Sequence, residues 1–241
     1  ITKGDTIWSR FFAGLQVFDD KKTVHWAGSY SGDRNEAETL VTDLNVLTEK
    51  PFVPESYTDS KFLFLANMAP ETQLEILEQF PNSTVFADTL NLWIDIARPQ
   101  LDALLSKINV LVLNDGEARM LTGEQNLIRA GAAFQKMGHK YWRIKKGEHG
   151  AFLFTTDERF GLLAYPVDSV VDPTGAGDSF AGGMMGALAA EGSLTPKSIH
   201  RAMAYGTVCA SFTVQDFSVR ALEQVTRSEI DARFAELGDF L

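Results

Sequence analysis

A single cysteine, Cys209, stands in the 241 residues, so no internal disulfide can form and the fold must be held by its core. No stretch approaches the roughly 20 consecutive apolar residues that a membrane helix needs. The longest run of small and apolar residues, Phe180 to Ala190, is broken by three glycines. The N-terminus, Ile1-Thr-Lys-Gly-Asp5, lacks the charged-then-apolar order of a secretory signal, and with the lone cysteine this points to the cytoplasm. Basic residues are outnumbered, 22 Lys and Arg against 32 Asp and Glu, and they form no stripe. A formal charge of −10 opposes a nucleic-acid backbone or an anionic membrane, so the expected partner is a small molecule. Also missing are a Gly-x-x-x-x-Gly-Lys-Ser/Thr loop, a Gly-x-Ser-x-Gly elbow and a His-Glu-x-x-His pair. His25, His139, His149 and His200 lack the short spacing of metal ligands.

No Pro/Gly/Ser-rich tract and no repeat divides the chain, so one α/β domain over residues 1–241 is expected. Continuous apolar runs at Phe62–Ala66, Thr84–Ala87, Val110–Leu113, Tyr141–Ile144 and Ala151–Phe154 predict strands covered on both faces. Between the early ones, Gln73–Phe80 and Leu101–Leu105 place apolar residues three and four apart, as helices do. Strand-helix alternation implies a mostly parallel sheet flanked by helices. The segment from about residue 5 to 33 reads differently. Leu15–Phe18, a charged turn and Thr23–Tyr30 suggest a two-stranded excursion from the core at 34–241. Its Trp26 and Tyr30 could stack on a substrate ring as part of a lid, or could simply pack on the domain.

The most informative stretch is Asp172-Pro-Thr-Gly-Ala-Gly-Asp-Ser-Phe-Ala-Gly-Gly183, a glycine-rich turn feeding a helix of small residues that runs to about Ala190. Free amides and the dipole at a helix N-terminus favour an anion, and Gly175, Ala176 and Gly177 put little side chain in its way. Asp178, in the first turn beside that anion, is placed to take a proton from an attacking hydroxyl, or alternatively to act as a helix cap. Interior glycines cost a helix about 1 kcal/mol each, so Gly182, Gly183 and Gly186 are expected to mark a close approach to the sheet. The string is not a dinucleotide fingerprint, because Phe180 stands where the third glycine belongs.

This stretch resembles the C-terminal signature of the ribokinase-like (PfkB) sugar-kinase family. The resemblance implies a ribokinase-like α/β fold, ATP-dependent phosphoryl transfer to a sugar or sugar-like alcohol (or to a nucleoside or polyol), an anion hole at Gly175–Gly177 and Asp178 as catalytic base. Two further elements follow the family's order. Asn114-Asp-Gly-Glu117 is similar to its Asn-x-x-Glu motif, implying that Asn114 and Glu117 organise Mg²⁺, its waters and the nucleotide phosphates; the same letters also spell a helix capping box. Lys145-Lys-Gly147-Glu-His-Gly150 is similar to its turn beside the nucleotide, with Lys145 toward the phosphates; a glycine-containing hairpin explains it equally. Lys197 to about Phe212 corresponds to the wall of the adenine pocket. Asp88 and Asn91 stand where relatives place an Asp/Asn pair near the transferred phosphate, or form a turn and helix start. Asp172 and Thr174 are candidates for a monovalent cation, K⁺, beneath the anion hole. Relatives begin with several tens of residues and a Gly-Gly substrate motif before the part matched here. The chain is therefore expected to be either a piece of a longer product or a shortened member, the latter prone to self-association as a homo-oligomer or to nucleotide binding without turnover.

Overall fold

The structure, a computed structural model, describes residues 14–30, 37–137 and 141–240. Six strands form one sheet in the order β3 (Phe62–Leu65), β4 (Thr84–Asp88), β5 (Val110–Asn114), β6 (Tyr141–Lys145), β7 (Ala151–Thr155) and β8 (Arg159–Leu162). The first four run parallel, β7 turns back antiparallel to β6, and β8, antiparallel to β7, resumes the first direction. Each expected strand is present to within about a residue. Strand β8 is an addition: Arg-Phe-Gly-Leu is short, and its polar and glycine positions hide the strand pattern.

Helices α1 (Pro70–Leu77), α2 (Asn91–Ile96), α3 (Arg98–Leu105), α4 (Asp115–Thr122) and α5 (Leu127–Lys136) belong to the crossovers between the parallel strands. Helices α6 (Ala176–Glu191), α7 (Pro196–Thr213), α8 (Arg220–Gln224) and α9 (Arg227–Asp239) follow the sheet. None of the helices, among the described residues, is long and apolar enough to cross a membrane.

The pleat decides which layer each strand residue joins, since successive side chains point to opposite faces. On β5, Leu111 and Leu113 join a core with Leu101, Leu104 and Phe134 of the crossover helices. Val110 and Val112 join the opposite core with Phe180, Met184 and Met203 of α6 and α7. On β6, Trp142 and Ile144 fill the first core, which leaves Arg143 and Lys145 on the α6 side. Full burial of each such apolar side chain contributes roughly 1.5–3 kcal/mol. The two layers therefore fix the faces of the strand ends that carry polar residues.

A separate two-stranded sheet pairs β1 (His25–Tyr30) with β2 (Ala37–Asp43) antiparallel, with a register irregularity between Ala27 and Gly28. This corrects the expected hairpin over residues 5–33. Leu15–Phe18 is irregular, with Leu15 63% and Val17 74% exposed. The partner of β1 is instead the later segment containing Thr39, Val41 and Thr42, β-branched residues suited to a half-exposed ribbon. Residues 5–13 and 31–33 of that expectation lie outside the described residues.

The glycines of α6 also differ from expectation. A methyl group at Gly183 would meet Cys209 Sγ at 2.7 Å, and one at Gly206 would meet the Phe180 carbonyl oxygen at 2.6 Å. The close approach is thus between α6 and α7, two helices on one side of the sheet. Gly182 and Gly186 meet nothing within 4 Å among the described residues.

Candidate active site

The C-terminal ends of three adjacent parallel strands deliver Asp88, Asn114 and Lys145, with Asn114 and Lys145 direct register partners. Ligand crevices in open α/β sheets form outside such strand ends. Gln73, 1% exposed, holds this edge by donating from Nε2 to the carbonyls of Leu65 (3.1 Å), Ala66 (3.0 Å) and Asp88 (3.3 Å). That clamp was not legible in the sequence, where Gln73 is one polar residue among several on a helix.

Facing the strand ends is the start of α6. Gly175 precedes it at φ +81°, a left-handed conformation that glycine adopts without strain. The Ala176 amide donates to the Pro173 carbonyl (3.1 Å), whereas the amides of Gly175, Gly177 and Asp178 have no acceptor among the described residues. Of the three residues expected to form the anion hole, Ala176 therefore has its amide engaged in the turn. A methyl at Gly177 would lie 3.1 Å from Lys145 Nζ, so the ammonium rests against the helix start. Asp178 is exposed in the first turn.

Asn114 and Glu117 form the reciprocal capping box of α4: Asn114 Oδ1 accepts from the Glu117 amide and Glu117 Oε2 from the Asn114 amide, each at 2.7 Å. Glu117 is nonetheless 3% exposed, and its carboxyl is pushed up to about 7. Burial is the largest cause, the Asn114 bond and Lys145 oppose it, and the charges of Asp88 and Asp115 add to it. Asp88 is pushed up to about 6, again by burial first, with Lys145 opposing and Asp178 adding. Its Oδ1 is buried without a hydrogen-bond partner among the described residues. Lys145 is thus a cation shared by carboxyls that it does not fully neutralise.

An uncompensated set of carboxylate oxygens with one orphaned acceptor suits a hard divalent cation such as Mg²⁺, which keeps several waters and takes few protein ligands. Among the described residues no three His, Cys, Asp or Glu side chains gather closely enough to hold a metal by themselves. The fit is to an ion completed by waters and ligand oxygens, with Asp88 and Glu117 alongside.

A cleft of about 560 Å³ opens beside this cluster. Its lining includes Asn114, Lys145, Gly147 and Gly177, together with Ser211 of α7 and Val167. That volume is in the range of small-molecule sites. Gly150, at φ +86°, closes the turn after Lys145, where a methyl would sit 2.0 Å from the Leu162 carbonyl oxygen. Arg143, two residues before Lys145, also lines the cleft and was passed over in the sequence, although a charge inside an apolar strand was its signal.

The remaining candidates are placed unequally. Thr174 Oγ1 donates to the Tyr30 hydroxyl (3.2 Å), bringing the ribbon to the glycine-rich turn. Trp26 does not reach it: its ring covers Gly28 of its own strand, and Nε1 bonds Thr39 Oγ1 (3.3 Å). Asn91 is exposed at the first position of α2. Asp172 Oδ1 accepts from the Thr174 amide (2.9 Å), so these two residues shape the turn between them.

The description "pfkB family carbohydrate kinase" matches residues 24–225. The cytidine kinase of Thermococcus kodakarensis is 30% identical over 178 residues, covering 72% of this chain and 63% of that protein. The ribokinase of Staphylococcus aureus is 30% identical over 237 residues, covering 88% of this chain and 76% of that protein. The solved structure of Arabidopsis thaliana ribokinase complexed with ribose and ATP matches with a TM-score of 0.71 at 20% identity, over 89% of this chain and 70% of that one, and shares the fold. The chain spans less than two thirds of the length of the cytidine kinase. With the glycine-rich turn, the Asn-x-x-Glu cap and the parallel sheet all in the family's order, the chain belongs to the pfkB family of carbohydrate kinases.

Proposed function

We propose that this chain binds ATP in the cleft and transfers its γ-phosphoryl group to a hydroxyl of a sugar or nucleoside. The observation that carries the reading is Lys145, which lines the cleft, lies against Gly177 at the start of α6 and acts electrostatically on the carboxyls of Asp88 and Glu117, with Asp178 close enough to act on Asp88.

In this reading the triphosphate lies beside Lys145, its terminal group against the Gly175 and Gly177 amides, where the helix dipole and the fixed N–H groups favour the charge that develops in transfer. Asp178 accepts the proton of the acceptor hydroxyl as that oxygen bonds to the γ-phosphorus and the bond to the β–γ bridging oxygen breaks, leaving ADP. Lys145 neutralises charge on the phosphates. Glu117, directly or through water, and Asp88 would hold Mg²⁺, which when bound supplies charge neutralisation on the phosphate oxygens. Most of the rate enhancement then comes from positioning and electrostatics. Tyr30, tied to Thr174, brings the ribbon to the glycine-rich turn that precedes this helix start. The cytidine kinase match over 72% of this chain favours including nucleosides among the acceptors.

Calorimetry with ATP and Mg²⁺, paired with ADP release in the presence of pentoses, hexoses, polyols and nucleosides, tests the reading. ATP binding with acceptor-stimulated ADP release supports it. ATP binding with no stimulation by any acceptor reduces the chain to a nucleotide-binding protein, and the absence of ATP binding removes the reading altogether.

A further inference from the structure

Arg143 is the most conspicuous charge that the proposed mechanism does not use. It lies mid-strand on β6, 1% exposed, and its Nε and Nη1 are buried with no hydrogen-bond partner among the described residues. Its guanidinium carbon stands 3.2 Å from the centre of the Phe180 ring, in the first turns of α6. Burial pulls its pKa downward, and no carboxylate among the described residues acts against that. Arginine nevertheless keeps its proton in proteins, so a full positive charge sits desolvated inside the fold. Buried charges are ordinarily paired, because an unpaired one is among the strongest destabilising features a core can contain. A cation over an aromatic face offsets only part of this.

Position gives the missing partner. By the two-residue period of the strand, Arg143 shares a face with Lys145, whose ammonium rests on Gly177. Both residues line the same cleft, Lys145 at the strand end and Arg143 two residues deeper, about 7 Å along the strand. Phe180, which carries the guanidinium, is three residues after Gly177 and also lines the cleft. The cleft therefore has two cations in line beside a helix N-terminus with unused amides.

We propose that Arg143 is a second phosphate-binding residue at the floor of the cleft, pairing with a phosphate group of the bound nucleotide or with a free phosphate in the same place. The inference rests on the nucleotide reading of the cleft in its first form, and on phosphate chemistry alone in its second. Guanidinium donors form strong charge-assisted bonds to phosphate oxygens, and a planar fork stacked on Phe180 loses little freedom in making them.

The test compares the unaltered chain with Arg143→Met and Arg143→Lys by calorimetry, using ATP, adenosine and inorganic phosphate as separate probes. Removing the charge should weaken ATP roughly 10–100-fold, the usual range for a charged hydrogen bond. Adenosine should change less than about twofold, since it carries no phosphate. In the absence of ligand, Arg143→Met should melt at or above the temperature of the parent, because it replaces an unpaired charge by an apolar side chain of similar length. Lysine keeps the charge without the fork or the ring stack, so it should recover part of the loss. If Arg143→Met loses inorganic phosphate but keeps ATP, the site is assigned to free phosphate. ATP and phosphate affinities both within twofold of the parent would overturn the proposal. If the methionine variant fails to fold, equal affinities in Arg143→Lys would do the same. A parent chain that binds phosphate but not ATP would sink the nucleotide reading while leaving Arg143 testable on phosphate.

Discussion

Replacing Glu117 by glutamine separates its two roles, because glutamine at the third helical position still accepts the Asn114 amide and keeps the capping box. What disappears is the charge. The Glu117 carboxyl titrates at about 7 in the folded chain against an ordinary 4.5, with burial as the main cause. A carboxyl whose folded pKa is raised binds its proton more tightly in the folded state, so its stabilising effect is full below about pH 4.5 and is lost as the pH rises through about 7. The resulting penalty is under about 1 kcal/mol near pH 5 and roughly 3 kcal/mol near pH 8. In the absence of metal and nucleotide, the stability of Glu117→Gln relative to the parent should therefore rise by about 2–3 kcal/mol between those two pH values. Urea unfolding of both proteins at pH 5 and pH 8 measures this difference directly. If Glu117 also serves the metal, the variant should need more Mg²⁺ for turnover. A constant stability difference at the two pH values would refute the buried-charge argument, and an unchanged Mg²⁺ titration would leave Glu117 only its cap.

Gly150→Ala should destabilise the chain by roughly 2–4 kcal/mol or prevent folding, as judged by thermal melting, because it combines a left-handed φ with a methyl 2.0 Å from the Leu162 carbonyl oxygen. Gln73→Leu strips three carbonyls of their shared donor and should cost about 2–3 kcal/mol, with hydrogen exchange increasing at the ends of β3 and β4. Gly177→Ala should raise the Kd for ATP with little change in melting temperature, since the methyl meets only the far end of Lys145, a flexible side chain, at 3.1 Å.

The sheet was legible because each buried strand is a continuous apolar run, and α6 because its glycine-rich entry is unusual. Pairing was less legible. Both Leu15–Phe18 and Ala37–Asp43 could supply a partner for β1, and nothing local decides between them. The Asn114 and Glu117 cap was foreseen as an alternative and is present, since it depends on a spacing of three residues within one turn. Lys145 against Gly177, Arg143 over Phe180 and the Gln73 clamp escaped notice or assignment. Each joins groups that only the closed sheet brings together. The role of Gly183 was misplaced for the same reason: a bare glycine announces a close approach but not which element approaches, and here that element is α7.

The central claim is that Asp178 receives the proton of the attacking hydroxyl, and Asp178→Asn tests it most directly, because asparagine keeps the size of this first-turn residue, which makes no cap hydrogen bond, and removes its charge and basicity. With an acceptor that stimulates ADP release, kcat should fall roughly 10²–10⁴-fold, the usual contribution of a positioned base, while the Kd for ATP and the melting temperature change little. A kcat within a few-fold of the parent would contradict the account and leave Asp178 as a first-turn acid whose charge interacts with the helix dipole.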